Sequence, residues 1–159
     1  MDRVKIFLRE RSLGFYLAFP AMIIALITIF LYKKIGINTF SPTLNKQAIL
    51  FLILGISFTL ISLVISLIPI KYVNRFGKII RFGAYLMILY AFIMFIYSQV
   101  NFIANVFVGI DGNSFSSTFI LTIIFYLLSC VLTAVSAGLD NFIPWKKNMV
   151  AVGEINENK

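Results

Sequence analysis

The chain alternates long uncharged runs with short charged ones. Residues 13–32, 48–70 and 82–139 contain no Asp, Glu, Lys or Arg except Asp111, which divides the last run at FVGIDGNSF. A helix needs about 20 apolar residues, at 1.5 Å each, to cross a hydrocarbon core of about 30 Å. The pattern therefore predicts four membrane-spanning helices over 13–32, 48–70, 82–110 and 114–139, the last two forming a hairpin that turns at 111–114. The third run would reach about 43 Å if wholly helical. Either it tilts, or its far end projects from the bilayer. Ser98, Gln99, Asn101 and Asn105 gather at that end, which favours projection.

Within the runs, small and hydroxylated residues recur at helical spacing. Gly14, Ala18, Ala21, Ala25 and Thr28 make one stripe; Gly55, Thr59, Ser62 and Ser66 make a second; Thr118, Thr122, Ser129, Thr133 and Ser136, with Tyr126 among them, make a third. Such stripes let helix backbones approach closely in lipid. The sequence leaves open whether they pack within one chain or between chains. Pro20 should bend the first helix, and Pro69 should stop or kink the second.

The charges lie in the connecting segments. Residues 1–12 are basic with scattered apolar positions and suit an interfacial segment. Residues 33–47 read as a loop. In 71–81, KYVNRFGKIIR, the basic side of a helix would meet anionic headgroups through Lys71, Arg75, Lys78 and Arg81. After the fourth run, Trp145, Lys146 and Lys147 supply an interfacial anchor. Residues 148–159 form a short polar cytoplasmic tail, outside the transmembrane domain of 1–147. Eleven of the fourteen Lys and Arg fall on the side holding both termini and the 71–81 segment, so the positive-inside rule predicts an N-in, C-in bundle. A secretory signal is the competing reading of the first run, which is about twice as long as such a core.

Composition agrees with lipid as the main solvent: 60% of the 159 residues are hydrophobic and 13% charged, against roughly half and a quarter in soluble domains. The formal charge of +8 would suit nucleic acid only if the basic residues formed a contiguous surface on a soluble part. They do not, so nucleic-acid binding is not expected. Cys130 is the single cysteine, which rules out a disulfide within the chain and leaves a small packing residue. The chain has no histidine, removing triads and imidazole metal sites. Asp111 and Asp140 fall at opposite ends of the fourth run, too far apart for acid/base partnership. Neither an enzyme, nor a metal, nor a cofactor is expected. No charged side chain falls at hydrocarbon depth in this reading, which disfavours proton-coupled transport.

The candidate site is an outer polar cluster: Ser98, Gln99, Asn101, Asn105, Asp111 and Asn113. Ser98, Asn101 and Asn105 share one helical side. They would line an outward pocket or meet a partner; the commoner role of such groups is to hydrogen-bond between helices. Asp111 would complement the positive end of the fourth helix, with Gly112 in the turn and Asn113 or Ser114 as cap.

The segment 98–112, SQVNFIANVFVGIDG, resembles one found in small four-span bacterial membrane proteins. The resemblance implies a bacterial plasma-membrane protein and brings no catalytic or binding motif with it. Taken together, the chain reads as an all-α, four-helix membrane bundle acting as an accessory or scaffolding subunit. It would pack with itself as a homo-oligomer, or with a larger membrane complex such as a transporter. A passive channel or facilitator, or a tetraspan immunity or sensing protein, are the alternatives.

Overall fold

The structure, a computed structural model, describes residues 13–35, 44–66, 68, 71–109 and 114–142, with the side chains of 71–75 and 140–142 outside the description. The expectations for 1–12, for Pro69, Asp111, Gly112 and Asn113, and for the Trp145 anchor and tail lie outside the described residues. Four helices are present: α1 Leu13–Ile35, α2 Lys46–Ser66, α3 Lys71–Val108 and α4 Ser117–Phe142. Each is long and apolar enough to cross a membrane.

The boundaries follow local chemistry. Pro20 lies inside an unbroken α1, which ends with Lys33 and Lys34 in its last turn, where cations oppose the helix's negative end. Asn45 caps α2, its Oδ1 accepting the Gln47 N–H at 2.9 Å. Ser116 caps α4, its Oγ accepting the Phe119 N–H at 3.2 Å. The cap is therefore Ser116 rather than Asn113 or Ser114. α3 ends at Gly109, whose φ of 72° places it in the left-handed region and whose N–H donates to Val106 O at 3.2 Å.

α3 departs most from the expected pattern. Its 38 residues join the basic segment 71–81 to the third span in one helix, about 57 Å long. Gly77 and Gly83 do not break it. A Cβ on Gly77 would meet Ile65 Cγ2 at 3.0 Å, so this glycine is a point of close approach to α2.

The helices pack as two close pairs, α2 with α3 and α1 with α4, joined by smaller α3–α4 and α1–α2 contacts. All three expected stripes are used inside the chain. Gly14, Ala18, Ala21, Ala25 and Thr28 of α1, and Gly55, Thr59, Ser62 and Ser66 of α2, are buried. On α4, Thr122, Ser129, Thr133 and Ser136 are buried. α3 adds a fourth buried register, at residues 77, 81, 84, 88, 91, 95 and 99. The outward faces carry large apolar side chains such as Ile23, Phe30, Ile53, Val64, Ile93 and Val131, as a lipid solvent requires.

Tyr32, Leu52, Phe95, Phe119 and Tyr126 bring all four helices into one buried cluster. Phe95 stacks on Tyr126 at 5.1 Å and meets Tyr32 edge-on at 5.1 Å. Asn45 at the start of α2 reaches Met94 O at 3.4 Å, and Tyr32 near the end of α1 meets Phe95, so the C-terminal end of α1 and the N-terminal end of α2 lie near the level of residues 94–95. α3 continues about 20 Å beyond that level. Phe102 and Phe107 pack there on Phe115 and Phe119.

The tightest crossing is at Gly55. A Cβ there would lie 2.5 Å from Ile88 Cγ1 and 3.2 Å from Ala84 O, a clash the packed core cannot absorb without moving a helix. Gly55→Ala should therefore destabilise by about 1–3 kcal/mol. At Gly138, where a Cβ meets nothing within 4 Å, Gly138→Ala should be neutral or mildly stabilising. Thermal melting of both variants in one detergent checks the contrast.

Candidate functional site

Most buried polar side chains spend their hydrogens on backbone carbonyls. Thr59 Oγ1 donates to Gly55 O at 2.8 Å, Thr28 Oγ1 to Ile24 O at 2.8 Å, and Thr122 Oγ1 to Thr118 O at 2.7 Å. These bonds stay within one helix and satisfy hydroxyls that the packing buries. Ser136 Oγ instead donates across to Gly14 O at 2.6 Å, tying α4 to α1.

Near the C-terminal end of α2 the pattern centres on Arg81, which is 2% exposed. Its Nε–H donates to Ser62 Oγ at 3.0 Å and an Nη2–H to Ser66 Oγ at 3.1 Å. Ser62 Oγ passes its own hydrogen to Gly77 O at 2.9 Å, and Ser66 Oγ to Ser62 O at 2.7 Å. Each hydroxyl thus offers a lone pair to the cation and its hydrogen to a carbonyl. The guanidinium fork, with donors fixed in one plane, suits two serines one helical turn apart.

Arg81 thus departs from the expected lipid-facing basic side. It shares the buried register of Gly77 and Ala84 and points into α2, whereas Lys78 is only partly buried. The side chains of Lys71 and Arg75 lie outside the described residues. The signal that would have found Arg81 is the four-then-three spacing from Gly77 through Arg81, Ala84, Ile88, Ala91 and Phe95, which runs across the boundary between the basic segment and the apolar run.

The outer polar cluster divides. Gln99 is 1% exposed and faces the interior, its Nε2 donating to Ser98 Oγ at 3.4 Å. Ser98 Oγ donates to Phe95 O at 2.7 Å. Asn101 and Asn105 are exposed on the extension of α3, beside exposed Ala104, Phe107 and Val108. Asp111 and Asn113 lie outside the described residues, and α4 begins six residues after Asp111. Of the six candidates, Asn101 and Asn105 share an open face; Ser98 and Gln99 belong to the packing beneath it.

Between the Arg81 layer and the outer cluster, the Tyr32, Phe95, Phe119 and Tyr126 rings pack together in the buried core that all four helices share. Among the described residues no group of three His, Cys, Asp or Glu comes together. Compared with known proteins, the chain matches no family model, no curated protein and no solved structure.

The Arg81 layer makes a direct prediction. Ser62→Ala removes an acceptor from a buried guanidinium and a donor from Gly77 O at once. It should cost about 1–3 kcal/mol, seen as a lower melting temperature. Ser57→Ala removes only an exposed bond to Ile53 O and should change stability by less than about 0.5 kcal/mol.

Proposed function

We propose that this chain is a non-enzymatic accessory subunit of the bacterial plasma membrane, with both termini cytoplasmic, that docks a membrane-protein partner through the outer extension of α3. The observation that carries the reading is the exposed face of Asn101, Ala104, Asn105 and Val108, set on a helix that outruns α1 and α2. The small-residue stripes, which would otherwise be the natural contact surface for another helix, are occupied inside the chain. Partner contact therefore moves from the stripes to this extension. It sets amide donors and acceptors beside apolar side chains, as the edge of a protein interface does.

Orientation rests on the eleven basic residues assigned to one side, among them Lys78, which lies on the half of α3 away from the extension. That side faces the anionic inner leaflet. The aromatic layer across the axis counts against a conduit through a single chain, since a conduit needs polar walls that continue across the bilayer.

A photo-crosslinking residue placed at Asn105 should capture a discrete partner in native membranes, and the same residue at Ile53, on the lipid-facing side of α2, should capture none. Equal capture at both positions, or none at Asn105, defeats the docking reading. A reporter fused after Lys159 should respond only to reagents that reach the cytoplasm; labelling from outside intact cells would reverse the orientation.

A further inference from the structure

Two hydroxyls stand outside the hydrogen-bonding pattern of the bundle. Tyr126 Oη and Ser129 Oγ are the buried side-chain polar atoms that make no hydrogen bond among the described residues, and both residues are 0% exposed. They lie three residues apart on the inward face of α4. The rings of Tyr32, Phe92 and Phe95 surround Tyr126, with centroids at 6.5, 5.5 and 5.1 Å. Ser129 lies two turns before Ser136, whose bond to Gly14 fixes the α1–α4 alignment. Two turns on from Gly14 stands Ala21, a small buried residue.

We infer that α4 holds ordered water inside the bundle, hydrogen-bonded to Tyr126 Oη and Ser129 Oγ. A buried hydroxyl without a partner forfeits the hydrogen bonds it had in water, and buried water is the usual remedy. Tyr32 Oη supplies another polar group beside Tyr126; it accepts the Asn45 N–H at 2.9 Å and has its own hydrogen to give. The guest is neutral, because walls of rings and methyl groups would replace none of an ion's hydration. Rotation of Ser129 onto a carbonyl of its own helix, as Thr133 does with Ser129 O at 2.8 Å, would satisfy Ser129 alone. Tyr126 has no such escape, since its hydroxyl sits at the far end of a rigid ring packed on Phe95.

The inference does not depend on the docking reading. Pulsed X-ray radiolysis of the full chain in lipid nanodiscs, read by mass spectrometry, oxidises buried rings that touch bound water. Tyr126 should be modified several-fold faster than Phe95, the dry ring stacked on it. Tyr126→Phe should lower the melting temperature by about 2–4 °C, and Ser129→Ala by less. If Tyr126 reacts no faster than Phe95, the inference fails. It fails equally if Tyr126→Phe leaves the melting temperature unchanged or raises it, as loss of an unsatisfied hydroxyl would.

Discussion

Close approach of backbones holds this bundle together. In a hydrocarbon solvent, hiding apolar side chains from lipid gains little, because lipid is as apolar as the side chains; association depends on dispersion contacts and interhelical hydrogen bonds, both of which fall away with distance. Gly55, with Ile88 and Ala84 so near that no Cβ fits, marks where α2 and α3 come nearest. Two of the bonds that cross between helices end on a glycine carbonyl: Ser62 to Gly77 O on one pair, Ser136 to Gly14 O on the other. Two of the four partners are glycines, and the other two are serines.

That closeness makes a buried arginine tolerable. A guanidinium buried between two apolar helices is costly unless its donors are met. Ser62 and Ser66 reach Arg81 because Gly77, one turn earlier on α3, brings the backbones together. The direction of the hydrogens adds to the effect: each serine is polarised by the carbonyl it donates to, which strengthens the lone pair it presents to the cation. Arg81 therefore works as a clamp on the α2–α3 pair, placed where α2 ends.

The helix content and the inward faces of three helices were legible in the chain, because a run of uncharged residues long enough to cross a bilayer has few other readings and small residues at three- and four-residue spacing mark one face. Whether those faces met each other or another molecule was not legible; a stripe from Gly14 to Thr28 looks the same in either case. The α3 register was missed for a different reason. It begins inside a segment whose lysines and arginines point to headgroups, and it mixes Arg81, Ile88 and Phe95 with its small residues, so composition hid what spacing would have revealed. The α4 cap was expected at Asn113 or Ser114 and falls at Ser116, which the Phe119 N–H identifies. In the outer cluster, Gln99 was grouped with Asn101 by proximity in sequence, yet two residues on a helix face roughly opposite ways.

The two ends of the molecule are held by different physics, which bears on how the outer end would engage a partner. The inner half relies on hydroxyls and a guanidinium, whose strength depends on dry surroundings. The outer extension of α3 relies on a column of rings, Phe102 and Phe107 against Phe115 and Phe119, whose contacts survive beside water. Asn101 and Asn105 are thus carried on a helix braced by aromatic packing, not on a free loop. A surface ordered before encounter gives up less conformational entropy on binding. On the docking proposal, more of the contact free energy would then be left to hold a partner.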